Sequence, residues 1–177
     1  LSLVGSEMCI RDSFGASTGG FTDCLLQGGA ERVFAIDVGY GQLHDKLRRD
    51  ERVVVMERTN ARHLRSEDLG RPLDLVVIDA SFIGLEKLLP AAHALLKPNG
   101  EVIALVKPQF QVGHRNVAKG GVVRDPEARR QAIDDSIQAA KLLGFALCAE
   151  ADSVIQGPKG NQETFIWLRK DSAAPVP

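Results

Sequence analysis

From Glu31 onward, short runs rich in Val, Ile and Leu alternate with stretches in which apolar residues recur every three or four positions. The runs at residues 32–38 (RVFAIDV), 53–59 (VVVMERT), 74–81 (DLVVIDAS), 101–108 (EVIALVKP) and 163–169 (ETFIWLR) predict strands, with a weaker one over 146–155. Three of them are nearly continuous in aliphatic residues, as expected where helices cover both faces of a parallel sheet. Leu85, Leu88, Leu89, Ala92, Leu95 and Leu96 share one helical face, which Lys97, Pro98, Asn99 and Gly100 terminate with a turn before the next strand. Ala132, Ile133, Ser136, Ile137, Ala140 and Leu143 form a second such face, opened by Asp125 and Pro126 as cap and first turn and closed by Gly144. Both stripes are assigned to core packing. Strand and helix in regular succession predict a doubly wound α/β fold, whose ligands sit beyond the carboxyl ends of the strands.

The polar residues at those ends carry the candidate chemistry. Gly15, Ala16, Ser17, Thr18, Gly19 and Gly20 precede a predicted first helix beginning at Phe21. Such a loop brings backbone N–H groups and a positive helix end to an anionic or nucleotide-like ligand, although ordinary glycine turns are more frequent than cofactor loops. Residues 9–13 (CIRDS) are not the apolar strand that normally delivers a loop of this kind. Asp37 follows Gly15 by 22 positions, near the offset at which an acid grips ribose hydroxyls; a capping or turn aspartate is the other reading. Asp79 and Lys107 end two later runs, and Lys107 there requires a carboxylate, which Asp79 or Glu163 can supply. A structural ion pair is the plainer alternative, but three charges at neighbouring strand ends beside a glycine loop favour a site. The aperiodic stretch after Lys107 is long for a compact domain, and residues 107–130 hold six Lys or Arg against two acids. That charge, with Arg58, Arg62, His63 and Arg65, suits a phosphate-bearing partner or simply a solvated face.

Composition narrows the class without choosing a function. A chain of 177 residues, 44% hydrophobic and 25% charged, suits one globular domain with no need of disulfides or structural metal. The formal net charge of -1 names no partner. No apolar run reaches the roughly 18–20 residues of a membrane span, and no signal-peptide pattern is present, so a cytoplasmic location is expected. Cys9, Cys24 and Cys148 are too scattered for a zinc site or a disulfide framework and read as packing residues; no metal is expected. Residues 172–177 read as a frayed tail.

The segments FGASTGGFTDCLLQGGAERVFAIDVGYGQL, ERTNAR, DLVVIDASFIGL, LVKPQFQVG, KGGVVRD and KGNQETF together resemble the FtsJ-like catalytic domain of haemolysin A-like (TlyA) ribosomal RNA methyltransferases. The resemblance spans residues 14–170 and implies a Rossmann-like class I methyltransferase with a mostly parallel sheet and an antiparallel last strand. It implies S-adenosylmethionine as donor and a ribose 2′-hydroxyl of ribosomal RNA, on cytidine in characterised relatives, as acceptor. The donor would lie along residues 15–20 and Phe21, with its ribose near Asp37, its adenine near Asn60, and Asp79 at its reacting end. Asp79, Lys107 and Glu163 match three members of a Lys-Asp-Lys-Glu tetrad around the acceptor; nothing here matches the first lysine. Lys107 then either removes the hydroxyl proton or orients the oxygen.

Where the family has an apolar strand ending in an acid, this chain has IRDSF, and residues 3–13 (LVGSEMCIRDS) resemble the translation of a transposase adapter used in preparing sequencing libraries. The segment 1–13 is therefore read as non-native, joined to a gene truncated of its first strand and of an upstream S4-type RNA-binding domain. Gln111 stands where relatives often have glutamate. Two other functions compete: a catalytically inactive RNA- or cofactor-binding domain, motivated by the altered first strand, and a nicotinamide-dependent oxidoreductase, which would more often carry G-x-G-x-x-G. Haemolysis finds no support in a sequence lacking a membrane-inserting segment.

Overall fold

The computed structural model describes residues 9–111, 121–157 and 159–172. In chain order, β1 (Ile10–Phe14) leads to α1 (Gly20–Gln27), β2 (Arg32–Ile36), α2 (Asp45–Arg48), β3 (Val53–Met56), α3 (Ser66–Leu69) and β4 (Leu73–Ile78). Then follow α4 (Leu89–Leu95), β5 (Leu96–Val106), α5 (Pro108–Gln111), α6 (Pro126–Leu142), β6 (Phe145–Asp152) and β7 (Thr164–Lys170), with short 3₁₀ turns at Ala61–His63 and Leu85–Lys87. These strands make one sheet ordered β3-β2-β1-β4-β5-β7-β6. The pairs among β1 to β5 are parallel, whereas β7 runs antiparallel to both β5 and β6. The expected doubly wound α/β sheet with an antiparallel last strand is the observed one.

Helices cover the two faces as the apolar stripes predict. Leu89, Ala92 and Leu95 of α4 and Ile133, Ile137 and Ala140 of α6 join Val76, Val102, Ala104 and Ile166 in one core layer. Leu25 and Leu26 of α1 pack with Val33, Ala35 and Val77 in the other. Asp125 caps α6 by accepting the Glu127 N–H at 3.0 Å, and Gly144 takes the left-handed conformation beyond its end, φ 84°. The tetrapeptide Lys97 to Gly100 does not end a helix before a new strand. It lies within β5 as an exposed irregularity where the register against β4 shifts, with Asn99 at φ 61°.

The larger correction concerns the first strand. Residues Ile10–Phe14 form a strand, and it is the central one, paired with β2 on one side and β4 on the other. Its neighbours dictate this: two rows of unpaired backbone groups leave a slot that any extended segment fills, and Ile10 and Phe14 supply apolar anchors at its ends. Arg11, Asp12 and Ser13 are buried along with them. Asp12 is 0% exposed, and neither of its carboxyl oxygens makes a well-formed hydrogen bond among the described residues. Burial, offset only in part by the neighbouring Ser13 amide, pushes the Asp12 carboxyl well above the ordinary carboxylate range.

Candidate active site

The chain returns from β3 at one edge to place β4 beside β1, so the strand order reverses between these two strands, where a crevice forms at their carboxyl ends. The residues just beyond the last paired positions line it, because each strand ends earlier than its apolar run and releases its polar tail into a loop. Gly15 leaves β1 at φ 80°, and its N–H and that of Ala16 both donate to the Ile36 carbonyl at 2.9 and 3.0 Å. A Cβ on Gly15 would lie 2.5 Å from the Asp79 carbonyl oxygen, so only glycine lets the loop approach the β4 end this closely. Asp79 is fixed there by donating its own N–H to the Phe14 carbonyl at 2.9 Å.

Asp37 holds the same loop from the other side. Its Oδ2 accepts the Ser17 N–H at 2.8 Å and its Oδ1 the Gly39 N–H at 2.7 Å. Asn60 caps the following 3₁₀ turn through the Arg62 N–H at 3.1 Å. A cleft of about 450 Å³ opens between these groups, lined by Gly15, Ser17, Asp37, Asn60 and Asp79 among the expected residues. Ala16, Thr18, Gly19, Gly20 and Phe21 do not line it: Ala16 packs into the core and Phe21 meets Phe165 edge to face at 6.1 Å. Gly19 caps α1 and the Thr18 carbonyl accepts the His44 N–H at 3.1 Å. Sequence reasoning missed Val38, Gln42 and Thr59 on one wall and Ser81, Phe82 and Ile83 on the other. Their only sequence signal is position, two to six residues past the last paired residue of a parallel strand.

Lys107 follows β5 with its side chain only 12% exposed. Its Nζ lies 2.7 Å from Asp79 Oδ1 and donates to Ser81 Oγ at 3.0 Å. Glu163 comes next to Lys107 in register, one step past the Val106–Thr164 pair, and is buried. Its Oε1 nevertheless meets Gln109 Nε2 at 3.5 Å, and no Lys107–Glu163 ion pair occurs among the described residues. Of the two carboxylates able to partner the lysine, Asp79 does so. Asn161, also missed, ties the end of the long loop to this rim: its amide accepts the Val123 N–H and donates to the Gly121 carbonyl, both at 2.9 Å.

The rim combines aromatic and cationic groups. Phe82, 90% exposed and at φ 66°, packs tilted against Phe110 with ring centroids 5.1 Å apart, and the Arg58 guanidinium lies 4.3 Å over the Tyr40 ring. The basic stretch after Lys107 is less free than its composition suggests. Arg129 pairs with Asp152, and Arg130 with Asp134 and Glu150, while Arg115 and Lys119 lie outside the described residues. No group of three or more metal-ligating side chains occurs among the described residues, and no helix there is long and apolar enough to cross a membrane.

A nucleoside-sized cleft at a strand-order reversal, a glycine turn pressed on one wall and a lysine on a carboxylate at the mouth together suit group transfer from a nucleoside-bearing donor to an oxygen. The FtsJ-like methyltransferase family model matches residues 13–170. The 16S/23S rRNA (cytidine-2′-O)-methyltransferase TlyA of Mycobacterium tuberculosis is 50% identical over 166 residues, which cover 94% of this chain and 61% of that protein. Two solved structures named for hemolysin are also similar. That from Streptococcus thermophilus is 40% identical with a TM-score of 0.92 over 97% of this chain and 62% of its own. That from Lactococcus lactis is 44% identical with a TM-score of 0.90 over 97% and 81%. The chain thus spans about three fifths of the curated M. tuberculosis relative.

Proposed function

Because this chain belongs to the FtsJ-like methyltransferase family, we propose that it transfers the methyl group of S-adenosylmethionine to the 2′-hydroxyl of a cytidine in ribosomal RNA. The observation that carries the reading is the Lys107–Asp79 pair at 2.7 Å, set at the mouth of the cleft against the Gly15 turn. In the wider relative named above, the product named is a cytidine 2′-O-methyl group on ribosomal RNA. An acceptor in ribosomal RNA also places the work in the cytoplasm, where ribosomes are found.

The residues present fit the donor. The Gly15 turn packed against the β4 end, the Asp37 carboxylate and a cleft of about 450 Å³ suit a nucleoside with an amino-acid tail. Gly15 and Ser17, the members of the loop that line the cleft, are assigned to its amino-acid end, Asp37 to its ribose, Asn60 to its adenine edge and Asp79 to the sulfonium end. When bound, S-adenosylmethionine supplies an activated methyl group. The chain's own contribution is positioning and the handling of one proton. Asp79 holds the Lys107 ammonium, which donates to the acceptor oxygen and stabilises the charge that develops there as the hydroxyl proton passes to solvent water. Glu163, adjacent in register, lines the acceptor side. Residues 14–170 are the catalytic unit on this reading, and residues 1–13 are foreign to it, a view supported by the Asp12 carboxyl buried in β1 with no well-formed hydrogen bond among the described residues.

Methyl transfer from labelled S-adenosylmethionine to ribosomal subunits, followed by mapping of ribose methylation, tests the proposal; the absence of transfer to any ribosomal substrate refutes it. The buried Asp12 favours one second reading, a domain that binds donor or RNA without turnover. Calorimetry separates the two, since a chain that binds S-adenosylmethionine at micromolar concentration without transferring methyl groups is the inactive form.

A further inference from the structure

The Lys107 ammonium has three N–H donors on a flexible four-carbon stem. One contact fixes its distance from a partner but leaves it free to swing around that contact. Here two side chains hold it, Asp79 through Oδ1 at 2.7 Å and Ser81 through Oγ at 3.0 Å. Ser81 lies two residues beyond Asp79 on the same cleft wall, and the next residue, Phe82, is in the left-handed region at φ 66°. A bulky side chain in that conformation is strained, and the turn that imposes the strain is the one presenting Ser81 to the lysine. Glu163, which register brings alongside, is engaged with Gln109 instead.

We propose that Ser81 is a positioning residue for methyl transfer: its hydroxyl, by hydrogen bond, and Asp79, by ion pair, set the direction of the Lys107 ammonium so that an N–H not given to Ser81 faces the acceptor oxygen. The proposal rests on the function argued above. Ser81 Oγ accepts from Lys107 on an exposed stretch of the cleft wall. A neutral hydroxyl as second partner lets the ammonium be aimed without enclosing it between two carboxylates.

The test compares the parent chain with Ser81→Ala and Ser81→Thr in two measurements. One is the rate at which trace acetic anhydride acylates Lys107, read by peptide mass spectrometry against exposed Lys87 and Lys141 in the same molecule. The other is steady-state methyl transfer to ribosomal subunits. Ser81→Ala is expected to raise Lys107 labelling severalfold and to lower kcat about tenfold, with KM for S-adenosylmethionine within twofold of the parent. Ser81→Thr is expected to restore both. Parental labelling and kcat in Ser81→Ala overturn the proposal, as does a threonine variant that behaves like the alanine one. A parent without methyl transfer refutes the function, while the labelling comparison still decides whether Ser81 holds the lysine.

Discussion

Replacing Asp12 with leucine is expected to stabilise the chain, an unusual outcome for a substitution in a central strand. Asp12 is wholly buried between β2 and β4 with neither carboxyl oxygen well paired. Leaving a polar group of this kind without a hydrogen bond costs about 1–3 kcal/mol even when it is neutral. Leucine has the same number of side-chain atoms as aspartate and adds about 1.5–3 kcal/mol on burial, less what imperfect packing takes back. The net expectation is about 3 kcal/mol at pH 7.

The effect has a pH signature. Burial raises the folded-state pKa of Asp12 above the ordinary aspartate value of 3.8, so the folded chain binds more protons than the unfolded one between those two values. The pH-dependent part of its cost is therefore absent below about pH 4 and grows by about 1.4 kcal/mol per pH unit until the folded value is reached. Urea unfolding followed by the fluorescence of Trp167, the single tryptophan of the sequence, measures both quantities. Asp12→Leu should flatten the dependence, and Asp12→Asn, which cannot ionise, should flatten it too while gaining less stability. If Asp12→Leu is no more stable than the parent at pH 7, the assignment of an uncompensated buried carboxyl is wrong.

Three other outcomes follow from the geometry. Lys107→Ala should lower methyl transfer at least a hundredfold while S-adenosylmethionine affinity, measured by calorimetry, stays within threefold; equal losses of both would place the lysine in donor binding. Gly15→Ala puts a Cβ 2.5 Å from the Asp79 carbonyl at φ 80°, and should cost about 2–4 kcal/mol in urea unfolding and abolish donor binding. His93 is buried, its Nε2 has no hydrogen-bond partner among the described residues, and desolvation, then the nearby Lys170 charge, lower its pKa from 6.5. The folded chain thus binds fewer protons there, so stability should fall as pH drops below about 6.5, and His93→Phe should lessen the loss in melting curves between pH 7.5 and 5.

The strands from β2 onward are legible in the sequence because their residues suit the place they occupy: VVIDAS and VIALVKP are apolar up to the residue that enters the cleft. The first strand is not, since nothing in CIRDSF prefers a central position and only the pairing offered by Arg32–Ile36 and Leu73–Ile78 puts it there. Asp37, Asp79 and Lys107 could be found as polar residues ending apolar runs. Which carboxylate meets Lys107 could not, because the answer depends on side-chain directions around an antiparallel pair that the sequence does not encode locally. The ion pairs that occupy Arg129 and Arg130 were hidden for the same reason, as Asp152 and Glu150 lie on a different element. Ser81 stood in plain view in VVIDASF, but only the folded turn shows its hydroxyl beside the ammonium.

The reversal of β7 has a consequence for how such a site can vary. Parallel strands reach the rim at their carboxyl ends, so everything on the donor side is bound to the register of the sheet. Glu163 arrives instead ahead of its strand, from a hairpin whose Ser153 N–H donates to the Glu163 carbonyl at 2.9 Å. That connection can lengthen, shorten or change composition without shifting any strand against another. If Glu163 lines the acceptor side as proposed, acceptor preference can change through this connection while the donor cleft is left as it is.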